Sequence, residues 1–205
     1  MTALIRLGRA IDAMNAAIGR TAAWAIVAAI LVSALNAIVR KTLGIASNAW
    51  LELQWYLFGA VFMLCAPWTL AQNEHIRIDI VSSTLSERWR NGVEMFGHLF
   101  FLLPFVLVMS YLSIPFLRGS FVSGEVSSSA GGLIIWPAKA VILVGFVLLL
   151  LQWLSEVIKR VAVMRGLIED AHMAAGHQAA AEAEAERLLA ISKSTVDTKA
   201  PAILG

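Results

Sequence analysis

The hydrophobic residues of the chain are concentrated in four long segments, which polar stretches separate. These segments cover residues 21–39, 50–70, 93–116 and 133–158. Each approaches or exceeds the ~20 residues that a helix needs to cross a hydrocarbon layer of ~30 Å. Lipid cannot satisfy backbone polar groups, so a crossing segment of this kind has to be helical. The pattern predicts an all-α integral membrane protein with four transmembrane helices.

Apolar residues near the N-terminus recur at alternating spacings of three and four. They are Leu4, Leu7, Ile11, Met14 and Ile18. Arg6 and Arg9 fall on the opposite side of a helix built from this stretch. Such a helix rests in the lipid headgroup layer with its arginines toward anionic lipid. Residues 1–19 are therefore predicted to form an amphipathic interfacial helix on the membrane, the alternative being a simple extension of the first crossing.

The basic residues outside the four segments are unevenly shared between the two sides of the membrane. One side has Arg6, Arg9, Arg20, Arg77, Arg88, Arg90, Lys159, Arg160 and Arg165, and the other has Arg40, Lys41 and Arg118, with Lys139 just inside the fourth segment. Lys and Arg are enriched in cytoplasmic loops. Four crossings place both termini on one side, so both are predicted to be cytoplasmic.

Composition agrees with a membrane protein and excludes some partners. Hydrophobic residues make up 59% of the 205 residues and charged residues 15%, against about 25% charged in soluble domains. The net charge of +2 is too small to indicate nucleic acid as a partner. Residues 20–160 are predicted to form the four-helix domain, and the Ala- and Glu-rich residues 161–205 a partly disordered cytoplasmic tail.

Polar side chains sit close to the ends of the first two membrane segments. Glu52 lies within about one turn of the second segment's start, too shallow for an obligatory ion carrier near the bilayer centre. We interpret it as a contact with a partner or a neighbouring helix, and the alternatives are an ion relay or snorkelling to the interface. Gln54 lies about 200° round the helix from Glu52. Asn36 is expected to hydrogen-bond between helices, and Arg40 is placed to pair with Glu52.

Other features bear on chemistry and helix shape. His98 alone among the histidines lies within a membrane segment, so a bis-histidine haem site is disfavoured and no cofactor or metal is expected. Neither a phosphate-binding loop nor a catalytic set is apparent, so the chain is not expected to be an enzyme. Pro67 and Pro104 are expected to interrupt helices. The Ser- and Gly-rich residues 118–132 are predicted to form an irregular periplasmic loop.

Two stretches resemble the small membrane subunit (Q-type) of tripartite ATP-independent periplasmic (TRAP) transporters. They are "NAIVRKTLG" at residues 36–44 and "WLELQWYLFGAVFMLCAPWTLAQNEHIRIDI" at residues 50–80. The resemblance lies in an Asn and an Arg closing the first helix, Trp-x-Glu opening the second, and His-x-x-x-Asp after it. The matching residues are Asn36, Arg40, Trp50, Glu52, His75 and Asp79. Glu125, Trp136 and Lys139 lie in a later run similar to one branch of the family.

The resemblance implies a system of three parts. A periplasmic substrate-binding protein delivers an organic acid, and a large transmembrane permease subunit carries it, driven by an ion gradient that is usually sodium. The small subunit would brace the large one. On this reading Asn36, Arg40, Glu52 and Gln54 serve partner or interhelical contacts, and His75, Arg77 and Asp79 fix the cytoplasmic end of the second helix.

Two readings from other classes remain. A self-sufficient four-helix exporter would couple protons to small-molecule efflux through one membrane glutamate, here Glu52, and would act as a homodimer. Such exporters place that glutamate deep in the first helix, which this chain does not do. An anchor for a redox complex is the second reading, and a haem spectrum would identify it.

Overall fold

The computed structural model describes residues 2–45, 47–72 and 87–168, and in these ranges the chain is mainly helical. Five α-helices are named here in chain order: α1 (Thr2–Leu43), α2 (Asn48–Ala71), α3 (Glu87–Gly97), α4 (Leu103–Ser123) and α5 (Trp136–Met164). The predicted contacts of His75, Arg77 and Asp79, and most of the predicted tail, fall outside the described residues.

Within the described residues, four helices are long and apolar enough to cross a membrane, which confirms the predicted fold class. They are Thr2–Leu43, Asn48–Ala71, Met95–Ser123 and Trp136–Met164. The third crossing is seven residues longer at its C-terminal end than the apolar pattern indicated, because the helix continues through Pro115 to Ser123. Part of the loop expected at residues 118–132 is thus helical.

The N-terminal stretch is continuous with the first crossing, since α1 runs unbroken over 42 residues. Its buried positions in this stretch are Gly8, Ile11, Asn15 and Gly19. At 100° per residue the centre of this face lies about 65° round the helix from the centre of the apolar stripe. Leu4 and Leu7, both in that stripe, are each 47% exposed. The face that packs within the chain therefore combines Ile11 with small and polar residues, and most of the apolar stripe points outward.

A π-helical turn at His98–Leu102 joins α3 to α4. The amide of Leu103 bonds to the carbonyl of His98, five residues back. Pro104 follows at once, and its ring cannot donate to the carbonyl of Phe100 and would clash with it in a regular helix. The wider turn relieves that clash, so the interruption expected at Pro104 takes the form of a π-bulge. By contrast, α2 continues through Pro67.

Close contacts between helices occur where one side is glycine. A Cβ on Gly19 of α1 would lie 2.9 Å from the Cβ of Trp68 of α2. A Cβ on Gly145 of α5 would lie 2.9 Å from the backbone oxygen of Met63 of α2. Small residues let membrane helices approach closely, and dispersion contacts then hold them. These two contacts place α2 against both α1 and α5.

Candidate functional site

The segment between α4 and α5 forms a short hairpin, defined here as residues 125–135. Val126 and Ile134 pair as an antiparallel bridge. The amide of Ser127 bonds to the Leu133 carbonyl at 2.9 Å, and the amide of Ile135 bonds to the Glu125 carbonyl at 3.0 Å. Gly124 starts the hairpin in the left-handed region with φ 61°, which glycine adopts at little cost. The Ser- and Gly-rich loop is therefore ordered by its own backbone.

Glu52 binds this hairpin with both carboxylate oxygens. Oε2 accepts a hydrogen bond from the amide of Leu133 at 2.7 Å, and Oε1 accepts one from the hydroxyl of Ser127. A Cβ on Gly132 would lie 2.5 Å from Ser127 Cβ and 2.9 Å from Glu52 Oε1. The tight turn therefore needs glycine at 132. Glu52 makes a contact within its own chain, and the pairing suggested with Arg40 is replaced by the hairpin.

Two further residues of α2 contact the hairpin, one turn before and one turn after Glu52. The Asn48 amide donates to the carbonyl of Ala130 at 3.0 Å, and the Tyr56 hydroxyl donates to the carbonyl of Ile134 at 3.4 Å. Residues four apart share one face of a helix. The start of α2 thus presents a polar face whose main targets are backbone groups of the hairpin.

Glu125 and Lys139 form an ion pair at the base of the hairpin. Their charged atoms lie 2.5 Å apart, and the Lys139 ammonium also lies 4.1 Å from the ring centre of Phe116. The hydrogen bond from Lys139 holds the pKa of the Glu125 carboxyl below its ordinary value, with a smaller contribution from Ser120. Trp136 packs edge-on against Phe121 with 5.4 Å between ring centres. Glu125, Trp136 and Lys139 thus lie together around the junction of the hairpin and α5.

The remaining predicted contact residues are spread over the same end of the bundle. Asn36 and Trp50 line an apolar cleft of about 110 Å³ beside the connection between α1 and α2. Arg40 is exposed on the last turns of α1, and Gln54 is half-buried on α2. The structure brings Asn36 and Trp50 together at the cleft, while Glu52 belongs to the hairpin contact.

A second polar cluster, which the sequence reasoning did not identify, joins the N-terminal half of α1 to the C-terminal half of α5. Its members are Asp12, Asn15, Gln152, Ser155, Glu156 and Lys159. Gln152 is fully buried and lies at its centre. The Gln152 side-chain nitrogen donates to Asp12 at 2.7 Å and to Glu156 at 3.0 Å. Its oxygen accepts from the Asn15 amide at 2.7 Å.

One ammonium group, that of Lys159, contacts both carboxylates at the edge of this cluster. The Lys159 ammonium lies 3.1 Å from Asp12 and 2.6 Å from Glu156. The Ser155 hydroxyl lies within 2.7 Å of Asp12 and 3.0 Å of the Gly8 carbonyl, and it can donate to one of them at a time. The cluster is held by charge-assisted hydrogen bonds, which are stronger than neutral ones.

A sequence signal for this cluster did exist. Gln152, Ser155, Glu156 and Lys159 fall at positions i, i+3, i+4 and i+7, which is one helical face. Asp12 and Asn15 are three apart on α1. A polar face at the end of a membrane helix generally has a polar partner, because lipid cannot provide one. That argument predicts a partner, but the sequence does not say which helix supplies it.

The two clusters do not resemble a catalytic or metal centre. No group of three or more His, Cys, Asp or Glu side chains suited to a metal ion occurs among the described residues. Glu52 and Glu125 accept hydrogen bonds from the hairpin and from Lys139, and Asp12 and Glu156 accept them from Gln152. Acidic groups of this kind position helices and backbone.

Comparison with known proteins gives a match to a protein family. Searches of the curated proteins and of the solved structures find none. The family model described as "Tripartite ATP-independent periplasmic transporters, DctQ component" matches residues 29–163, which is more than half of the chain. The match covers most of the four crossings and the hairpin, and it confirms the resemblance drawn from the motifs. The chain belongs to the DctQ component family of the tripartite ATP-independent periplasmic transporters.

Proposed function

We propose that this TRAP small permease subunit acts as a scaffold for a large transmembrane permease subunit. The large subunit would take up an organic acid that a periplasmic binding protein delivers. A sodium gradient would drive uptake, and the site of action would be the bacterial inner membrane with both termini cytoplasmic. The family supports the small-subunit role.

One observation carries the scaffold role, which is the environment of Glu52. A coupling carboxylate has to exchange its ion or proton during each cycle. Glu52 instead has both oxygens occupied by Ser127 and by the amide of Leu133. Releasing it would break the contact between α2 and the hairpin. This arrangement favours a fixed structural role for Glu52 and leaves transport chemistry to the larger partner.

The outward surfaces of the membrane helices suit a bracing role. Large apolar side chains are exposed along the crossings, among them Trp55, Phe62 and Phe105. Interhelical polar contacts are worth only about 0.6–2 kcal/mol each, so broad apolar faces have to supply most of an association in lipid. Such faces are available on this chain for a partner as well as for lipid.

Purification from native membranes tests the scaffold role directly. A tagged chain, extracted in mild detergent, is expected to bring along a larger polytopic protein in roughly equal amount. Recovery of the chain alone, as a stable homodimer, would contradict the proposal and favour the self-sufficient exporter. An absorption spectrum of the same sample would reveal haem if the chain were a redox anchor.

Reconstitution tests the substrate class and the coupling ion. Vesicles holding both membrane subunits, with binding protein outside, are expected to accumulate labelled organic acid when sodium is higher outside. Glu52→Gln in the assembled complex is expected to keep the sodium dependence of uptake, because the residue holds the hairpin. Loss of coupling with assembly intact would place Glu52 in transport chemistry and overturn the scaffold role.

A further inference from the structure

The buried residues of helix α4 form a narrow stripe along one side of the helix. Its buried residues are Val106, Ser113 and Ser120, which recur every seven positions. At 100° per residue, Tyr111 lies about 160° round the helix from this stripe. Tyr111 is 73% exposed, and Val108, Pro115 and Val122 are exposed on the same side. These four residues define the Tyr111 face.

The Tyr111 face crosses the middle of the membrane segment. The Phe121–Trp136 ring pair marks one end, ten residues or about 15 Å from Tyr111 along the helix. At the other end the Trp153 indole donates to the carbonyl of His98 at 2.7 Å, thirteen residues or about 20 Å away. Aromatic residues of this kind gather at membrane interfaces. Tyr111 therefore lies near the centre of a ~30 Å hydrocarbon layer, beyond reach of either headgroup region.

Tyr111 brings a donor and an acceptor to this depth. Its hydroxyl makes no hydrogen bond to any residue in the described part of the chain. Its backbone carbonyl would ordinarily accept from the amide four residues on, and that residue is Pro115, which has none. Both groups lie on a side of α4 that the described residues leave uncovered. Hydrocarbon offers neither group a partner, and leaving polar groups unpaired there is costly.

We propose that the Tyr111 face is the surface on which a membrane helix of the large permease subunit packs. That helix would present Ser, Thr, Asn or Gln side chains near the bilayer centre, which can accept from the Tyr111 hydroxyl or donate to its carbonyl. This inference rests on the proposed function, because it needs the large subunit as the occupant. Lipid chains can cover the apolar neighbours but cannot satisfy Tyr111.

Tyr111→Phe tests the hydrogen bond, because it removes only the hydroxyl. The complex of both membrane subunits is titrated in detergent, with energy transfer between labelled subunits reporting dissociation. Tyr111→Phe is expected to weaken association roughly three- to thirtyfold, the range for one interhelical hydrogen bond. The melting temperature of the small subunit alone should not change.

Tyr56→Phe is the matched control, since the chain has two tyrosines and Tyr56 donates within its own chain. It is expected to lower the stability of the small subunit without changing the association. If both substitutions weakened association equally, the loss would be a general effect of tyrosine hydroxyls and the inference would be wrong.

Photo-cross-linking tests which molecule covers the face. Benzoylphenylalanine in place of Tyr111 is expected to link the small subunit to the large one. Links only to lipid, or only to a second copy of this chain, overturn the inference, as does unchanged association of Tyr111→Phe. If the wild-type chain brings no large subunit through purification, the proposed function fails instead, so the two failures are distinguishable.

Discussion

The two ends of the helical bundle hold their polar groups in different ways. At the hairpin end, Glu52 and Asn48 of α2 bind mainly backbone groups of a loop. At the other end, Asp12 of α1 and Gln152 of α5 bind each other's side chains, and Gln152 is fully buried. One end therefore fixes a loop to a helix, while the other fixes two helices to each other.

The difference predicts unequal sensitivity to substitution. A backbone group near the surface that loses a side-chain partner can hydrogen-bond to water instead. The loss in the free energy of unfolding is therefore limited. A buried amide that is removed from a network takes one hydrogen bond from several polar groups at once, including carboxylates. Substitutions in the polar cluster that joins α1 to α5 should therefore lower the free energy of unfolding more than substitutions at the hairpin.

Gln152→Leu is expected to have the largest effect. It removes both donors to Asp12 and Glu156 and the acceptor of the Asn15 amide, while it keeps the side-chain volume nearly unchanged. We expect a loss of about 3 kcal/mol in the free energy of unfolding, because buried groups lose their partners. Unfolding of the purified chain in mixed micelles measures it. Gln54→Leu on α2 is the matched control. An equal loss of stability in that variant would contradict the predicted difference between the two ends of the bundle.

Gly132→Ala should come next and act only on the hairpin. The added methyl would lie 2.5 Å from Ser127 Cβ and 2.9 Å from Glu52, so the turn has to open. Overpacking of this kind costs about 1–3 kcal/mol. Protease cleavage within residues 125–135 would report the opening. Gly119→Ala is the control, because nothing lies within 4 Å of a Cβ there, and increased cleavage in that variant would show that the assay lacks specificity.

Glu52→Gln should have a smaller effect on the same contact. Glutamine keeps one oxygen that can accept from Leu133 or Ser127. The nitrogen that replaces the other oxygen can only donate. A loss of about 1 kcal/mol in the stability of the hairpin is expected. Hydrogen exchange of the Leu133 amide measures it. Exchange as slow as in the wild type would mean that the carboxylate does not hold the hairpin.

Prediction from the sequence was most accurate where the lipid environment restricts the conformation of the backbone. Because lipid demands internally satisfied backbone, four apolar runs were enough to predict four helices, and the structure confirms them. Prediction was weaker at helix ends. Residues 118–123 were predicted to be loop because they belong to a Ser- and Gly-rich stretch that begins at Arg118, yet α4 continues to Ser123. Side chains such as Arg can extend toward water, so they do not end a helix.

The candidate site could be predicted only in part. The position of Glu52 at a helix end indicated a contact and not a carrier, but its target was hidden because the hairpin lies about 75 residues away in sequence. The Asp12–Gln152 contact spans 140 positions. A periodic pattern shows which residues share a helical face, whereas the pairing of faces depends on packing among all the helices.

The pH dependence of the hairpin is the smallest expected effect. Hydrogen bonding from Lys139 lowers the pKa of Glu125 from its ordinary value of 4.5. A carboxyl whose pKa is lowered on folding binds its proton more readily when the hairpin is open. Its stabilising contribution is therefore fully present above about pH 4.5 and is lost as the pH falls through the lowered value. Because Glu125 is 39% exposed, screening by solvent keeps the contribution small.

Hydrogen exchange of residues 125–135, corrected for intrinsic rates, measures this effect at pH 6 and below pH 4. Glu52 is a second carboxylate that holds the hairpin, so the informative quantity is the difference between the wild type and Glu125→Gln. The variant is expected to lose part of the acid-induced loosening and to keep the rest. Identical acid profiles would mean that the Glu125–Lys139 pair adds nothing to the hairpin, and that its backbone bonds and Glu52 alone hold this end of the bundle.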